Sequence, residues 1–238
     1  MLSWEKGCAK WYNWPYSVSH DNRAPTREAT SPRPKRSGFR PRHAILIGPG
    51  EVLKKDSVER LFFASLRRAL EDIAPEKLDV FQKWFDPSDR RPQFHIAPVM
   101  GAVSYLGREP ALYERVMDRA GRYASDWSYE HLSPFERKLW SSLPLSGRER
   151  AVKRLLRAGL KNIHRDGQLE TRREGSKLVV VVSNSIFCRT VTGNGPACVY
   201  YASLFKGLME HAALGWSLVV ESNCGGQGRP ECEFEATA

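Results

Sequence analysis

The stretch that decides the fold is CVYYASLFKGLMEHAALGWSLVVESNCGGQGRPECEFEA, residues 198–236. Its first part carries apolar residues at the spacing of one helix face, which predicts an amphipathic helix ended by Gly215. These apolar residues are Val199, Ala202, Phe205, Leu208, Met209 and Ala212. The segments WSLVVESN and PECEFEA predict two strands joined by the turn GGQGRP, and such a short connection makes their pairing antiparallel.

A second hairpin is predicted just upstream of this stretch. QLETRRE and KLVVVVSN flank a Gly175-Ser176 turn, the arrangement expected of two paired strands. The first strand is polar and suits a sheet edge, whereas the second is apolar throughout and suits a buried central position.

The first two thirds of the chain read as helical. Asp56 and Glu59 form a capping-box pattern before a helical apolar repeat that starts at Val58, and Pro75 begins a second helix. Residues 87–98 are rich in proline and predict a loop. Three further helices are expected, and they start at Pro110, at the Ser133-Pro134-Phe135-Glu136 box and at the similar box Ser146-Gly147-Arg148-Glu149. The sequence therefore predicts one α+β domain over residues 44–238, with helices packed against an antiparallel sheet.

Residues 1–43 have a different composition from the rest of the chain. They hold nine Lys and Arg against three acidic residues, which is +6 of the net charge of +10. Residues 17–43 contain many Pro, Ser and Arg and little apolar surface, so we expect a flexible basic extension. A contact of this extension with nucleic acid or another acidic surface, or a true start downstream of Met1, are alternatives that the sequence leaves open.

The sequence gives no sign of a membrane or secretory protein. It contains no run of 18 apolar residues, and the N-terminus lacks the apolar core of a signal peptide. We therefore expect a cytoplasmic protein. The five cysteines are an odd number, which in that compartment argues against a disulfide framework.

Three of the cysteines and one acid form a candidate metal site near the C-terminus. Glu221 and Cys224 end one predicted strand and Cys232 lies on the returning strand, so the hairpin brings them together. Cys198, at the start of the preceding helix, completes a set of three thiolates and one carboxylate that suits tetrahedral zinc in a structural role. Buried cysteines without metal are the alternative. Cys188 is a rival ligand, interpreted as a small core residue because it follows the apolar strand.

At these positions the sequence resembles the 4-vinyl reductase domain family. The family pattern runs from a Cys through a helix with Gly in its second half, then an acid, a Cys three residues later, a Gly-rich turn and Cys-x-Phe. In the family's phenol sensors, three Cys and one Glu hold zinc at intervals of 23, 3 and 8 residues, and Cys198, Glu221, Cys224 and Cys232 have the same intervals. GAVSYLGRE (101–109) and VVVSNSIFC (180–188) extend the resemblance to roughly residues 95–236.

The resemblance implies a TRAPP-like fold, a homodimer and a domain that binds or senses an apolar or aromatic small molecule, stabilised by structural zinc. It also implies two alternatives, an accessory role in bacteriochlorophyll or tetrapyrrole biosynthesis (vinyl reductase or pigment carrier) and a protein-interaction scaffold. The sequence has no G-x-G-x-x-G after a strand, which favours binding over catalysis. Aromatic residues that either line a pocket or fill the core are Phe81, Trp84, Phe85, Tyr105, Tyr113, Tyr123, Trp127 and Trp140.

Overall fold

The computed structural model describes residues 57–82, 93–161, 163–164, 166–189, 197–212, 215–216, 218–229 and 231–237. The predicted basic extension 1–43, the predicted start of the domain at residue 44, and Trp84 and Phe85 lie outside these residues. Within them, no helix combines the length and the apolar character that crossing a membrane requires.

A four-stranded antiparallel sheet forms the C-terminal part, as the two hairpins predicted. Its strands are β3 (Gln168–Glu174), β4 (Lys177–Ser183), β5 (Leu218–Asn223) and β6 (Cys232–Thr237), in the order β3-β4-β6-β5. The polar strand β3 is at an edge and the apolar strand β4 is central, which confirms both predictions. Gly175 forms the β3–β4 turn with a φ of 60°, a conformation that glycine adopts without steric cost.

In the described part of the chain, seven α-helices cover or precede this sheet. They are α1 (Arg60–Ile73), α2 (Leu78–Gln82), α3 (Ile96–Leu106), α4 (Pro110–Glu130), α5 (Pro134–Ser142), α6 (Leu145–Lys161) and α7 (Val199–His211). Helices α4 and α7 pack closely because Gly121 has no side chain. A Cβ atom at this position would stand only 2.4 Å from the carbonyl oxygen of Tyr200. The mixed architecture of helices and antiparallel strands confirms the predicted α+β class.

The N-terminal helices differ from the sequence prediction in two places. Ser57–Glu59 is a short strand, β1, that pairs with β2 (Gln93–His95), so Val58 lies in a strand rather than in the first helix. The predicted loop 87–98 is likewise wrong from Gln93 onward. Pro98 is compatible with α3 because it falls in the first helical turn, where a backbone N–H has no intrahelical partner.

Of the three predicted capping boxes, the one at Ser133 is present, and Asp56 of the first box lies outside the described residues. The Ser133 N–H donates to Glu136 Oε2 over 2.8 Å, and the Glu136 N–H donates to Ser133 Oγ over 3.2 Å. The box at Ser146 is wrong, because α6 already begins at Leu145 and the N–H of Gly147 donates to the carbonyl of Pro144.

The inner face of the sheet and the helices share one hydrophobic core. Leu178, Val180 and Val182 of β4 and Phe234 of β6 point into it and are fully buried. Strand β5 places Val219 and Glu221 on this inner face, because Val219 pairs with Ala236 and Glu221 with Phe234. The end of the sheet at which β4 finishes and β6 begins faces the start of α7, and the candidate site lies there.

Candidate metal centre

Four chain segments bring one cysteine each to this end of the sheet. Cys188 lies in a single 3₁₀ turn, Phe187–Arg189, after β4, and Cys198 is the residue before α7. Cys232 begins β6 opposite Val182, near the end of β4. Cys224 follows β5, where an irregularity in the pairing between Glu221 and Asn223 bends the strand toward its turn.

The four sulfur atoms form a compact group, the sulfur cluster, in which all of them lie within 4.8 Å of one another. The Sγ of Cys188 is 3.0 Å from that of Cys232, 3.4 Å from that of Cys198 and 4.0 Å from that of Cys224. The Cys198 and Cys232 sulfurs are 3.3 Å apart. Tetrahedral thiolates around one ion at about 2.3 Å are spaced by about 3.8 Å, so small movements of these side chains would accommodate an ion.

The sulfur cluster is shielded from solvent. Cys198, Cys224 and Cys232 are at most 2% exposed, and Cys188 is partly exposed. Ser185 Oγ lies 3.2 Å from the Cys198 sulfur, and the Gly225 N–H donates to the Cys232 sulfur over 3.4 Å. Donors of this kind stabilise thiolates, which are the form of cysteine that binds metal.

The carboxyl group of Glu221 lies beside the sulfur cluster. Its Oε2 accepts a 3.0 Å hydrogen bond from the backbone N–H of Cys198. Its Oε1 is buried and has no hydrogen-bond partner among the residues that the structure describes. Burial raises the pKa of Glu221 to about 8, because a carboxylate is poorly solvated there. A buried carboxyl oxygen without a partner, next to four thiols, fits the neighbourhood of a cation.

The thiols affect each other's ionisation. The Cys198 thiol is the largest influence on Cys224, whose pKa is lowered to about 6. The thiols of Cys198 and Cys232 also lower the pKa of Cys188, whereas burial raises the pKa of Cys198. Thiolates at some of these cysteines are therefore stabilised by hydrogen bonds from the protonated thiols of the others. A bound cation would take the place of those protons.

The structure brings three of the four predicted ligands, Cys198, Cys224 and Cys232, into one group. Glu221 is adjacent to this group but is not one of its four mutually close atoms, and Cys188 takes that place. The sequence-based interpretation of Cys188 as a small core residue did not anticipate its place in the sulfur cluster. Phe187 fills the core position instead, fully buried, and the 3₁₀ turn directs the next side chain toward the other cysteines. The sequence feature that could have indicated Cys188 as a ligand was its position only ten residues before Cys198.

The arrangement offers four soft donors without an open position, so it can hold a metal ion but offers no place for a substrate on it. No protein-family model matches the sequence, and no curated protein matches it significantly.

Proposed function

We propose that this chain is a small-molecule-binding domain whose C-terminal hairpin is held in place by one structural zinc ion. The observation that carries the proposal is the sulfur cluster, in which four cysteines from four segments lie within 4.8 Å of one another. Thiolates favour zinc over Mg²⁺ and Ca²⁺, and a complete set of protein ligands is typical of a structural site.

The ion would link three parts of the chain, namely the β5–β6 turn, the start of α7 and the 3₁₀ turn after β4. Cys224 and Cys232 flank the turn between β5 and β6, Cys198 precedes α7, and Cys188 follows β4. A metal bound only by the folded state stabilises that state, so the free energy of zinc binding would add to the free energy of unfolding.

The proposed binding of an apolar or aromatic ligand comes from the family resemblance, and the aromatic interior next to the site offers one candidate contact for it, the hydroxyl of Tyr201. The ring of Tyr201 lies 4.8 Å from that of Phe187 and 5.9 Å from that of Phe205. Its hydroxyl is buried and has no hydrogen-bond partner among the described residues. Burial raises the pKa of this hydroxyl, so it remains a donor, and an aromatic ligand with an acceptor atom would satisfy it.

Most of the aromatic residues that the sequence offered as pocket candidates pack in or against the hydrophobic core. Phe81 and Tyr113 are buried, and the half-buried Tyr105, Tyr123 and Trp127 pack against the core. Tyr201 is also a fully buried core residue, and only its hydroxyl, which has no hydrogen-bond partner among the described residues, marks it as a candidate ligand contact. The TRAPP-like fold, the homodimer and the tetrapyrrole and scaffold alternatives rest on the family resemblance alone.

Native mass spectrometry of the purified full-length chain tests the proposal. We expect a mass increase of one zinc ion per chain that an excess of chelator removes, and a further increase from a copurified small molecule. A protein that carries no zinc after zinc is supplied would overturn the structural-zinc proposal. A zinc-loaded protein that binds none of a panel of aromatic compounds would overturn the ligand-binding part, and a bound coloured tetrapyrrole would favour that alternative.

A further inference from the structure

We infer that Cys188 supplies the fourth metal-binding thiolate, and that Glu221 acts outside the coordination sphere by holding the backbone of Cys198. The site would then be a tetrathiolate centre rather than one of three thiolates and a carboxylate. This inference rests on the proposed zinc site and decides which of two candidate groups completes it.

The position of the Cys188 sulfur favours it as the fourth ligand. It lies within 4.0 Å of each of the other three sulfurs, and it is 3.0 Å from Cys232. An ion bound by Cys198, Cys224 and Cys232 would therefore also lie in contact with the Cys188 sulfur. A thiolate is also a softer donor than a carboxylate and suits zinc beside three other thiolates.

The turn after β5 leaves room for this sulfur. A Cβ atom placed at Gly225 would stand 3.2 Å from the Cys188 sulfur and 3.6 Å from the Cys232 sulfur. The absence of a side chain at Gly225 thus lets the 3₁₀ turn that carries Cys188 approach the β5–β6 turn closely. This approach is what brings the fourth sulfur to the cluster.

The carboxyl group of Glu221 already has a role that fixes a ligand. Its Oε2 accepts the N–H of Cys198, and this bond sets the orientation of the residue that precedes α7. Groups that hold metal ligands in this way typically contribute ten- to a hundredfold to metal affinity without touching the ion. Glu221 is therefore assigned as a positioning residue.

The spacing of the sulfurs indicates a single ion. Ligands of an iron–sulfur cluster are held apart by several metal atoms and bridging sulfides, whereas these four sulfurs lie within 4.8 Å of one another. The helix α7, thirteen residues long, starts at the site, and its N-terminal N–H groups help to balance the charge of four thiolates.

X-ray absorption spectroscopy of the zinc-loaded wild-type chain tests the inference directly. We expect four sulfur neighbours at about 2.3 Å and no oxygen neighbour at about 2.0–2.2 Å. Three sulfurs and one oxygen would overturn the assignment of Cys188 while leaving the zinc site intact. A protein that takes up no zinc would overturn this inference together with the proposed function.

Two variants loaded with cobalt(II) provide a second measurement, since the thiolate-to-cobalt absorption grows with the number of thiolates. For Cys188→Ser, we expect an intensity of about three quarters of the wild-type value per bound ion. For Glu221→Gln, whose amide oxygen can still accept the Cys198 N–H, we expect an unchanged intensity per bound ion and an affinity lower by no more than about tenfold. Full intensity in Cys188→Ser, or changed cobalt bands at saturation in Glu221→Gln, would assign the fourth position to Glu221.

Discussion

The backbone N–H of Cys198 donates a 3.0 Å hydrogen bond to Oε2 of Glu221, a residue 23 positions later in the chain. This bond links the first turn of α7 to the inner face of β5. This hydrogen bond joins protein atoms alone and positions Cys198 at one side of the sulfur cluster. A metal ion at the sulfur cluster would add links from Cys198 to Cys188, Cys224 and Cys232.

Removal of the Cys224 thiol tests how far the stability of the β5–β6 hairpin depends on the metal. We expect Cys224→Ser to lose most of its zinc and to lower the free energy of unfolding by about 3–4 kcal/mol, the value for saturation at several hundred times Kd. Metal content and thermal unfolding measure the two effects. Ser222→Ala is the matched control, because this exposed residue lies two positions before Cys224, on β5, and outside the sulfur cluster. Unchanged zinc content and melting temperature in Cys224→Ser would contradict a structural metal.

The Tyr201 hydroxyl has no hydrogen-bond partner within the part of the chain that the structure describes, and this predicts an unusual effect of its removal. In the ligand-free protein, we expect Tyr201→Phe to leave the free energy of unfolding unchanged or to raise it by about 1 kcal/mol, because a buried donor without a partner is costly. Urea denaturation of the zinc-loaded protein measures this.

Tyr200→Phe is the control for Tyr201→Phe. The Tyr200 hydroxyl is also fully buried but lies 3.0 Å from Ser65 Oγ, with which it shares a hydrogen bond. Its removal should lower the free energy of unfolding by about 1 kcal/mol. Equal losses in both variants would show that the Tyr201 hydroxyl is satisfied in solution.

The parts of the fold that sequence predicted correctly are those set by local patterns. The β3–β4 hairpin follows from a glycine turn between a polar and an apolar segment, and the start of α5 follows from Ser133 and Glu136. Pairing of β1 with β2 was missed because each strand has three residues, too few for a period of two to be recognised.

The site shows the same division between local and non-local information. Spacing identified Cys198, Cys224 and Cys232, which hairpin geometry and a nearby helix bring together. The distance between Cys188 and Cys232 depends instead on how a 3₁₀ turn at one strand end meets a glycine turn at another. No periodic pattern encodes that meeting, so the sequence left Cys188 among the core residues.

The close contact between α4 and α7 predicts a large effect of one added methyl group. A Cβ atom at Gly207 would stand 2.0 Å from Ser125 Oγ and 2.7 Å from its Cβ, and Ser125 is fully buried. We expect Gly207→Ala to lower the free energy of unfolding by about 1–3 kcal/mol, although alanine is the better helix former. Chemical denaturation measures the loss.

A second substitution separates crowding from other causes at Gly207. Ser125→Gly removes both atoms that the new methyl group would meet, so the pair Gly207→Ala and Ser125→Gly should destabilise by less than the sum of the two single changes. Gly159→Ala is a control in α6, where the nearest atom to the new Cβ is the flexible Leu208 Cδ1 at 3.2 Å. Additive losses in the pair would show that the helices separate to accept the methyl group.

A contact between α1 and α4 predicts a dependence of stability on acid. Asp72 accepts a hydrogen bond from the Tyr123 hydroxyl and lies 3.4 Å from the Arg119 guanidinium. The Tyr123 hydrogen bond is the largest of the effects that lower the pKa of Asp72 below its ordinary value of 3.8. The folded state thus holds fewer protons on this group than the unfolded state does, so its stabilisation is complete above pH 3.8 and is lost as the pH falls through the lower folded pKa.

Asp72→Asn should therefore cost little, less than about 1 kcal/mol at pH 7, because the group is near the surface. The difference between the wild type and the variant should shrink as the pH falls below 3.8. Urea denaturation at several pH values from 7 to 2 measures this difference. Tyr123→Phe keeps the carboxylate but removes its main donor, so it should abolish most of the same acid dependence. If the difference between the wild type and Asp72→Asn instead grows with acid, Asp72 is destabilising in its ionised form, and the contact with Tyr123 does not outweigh its desolvation.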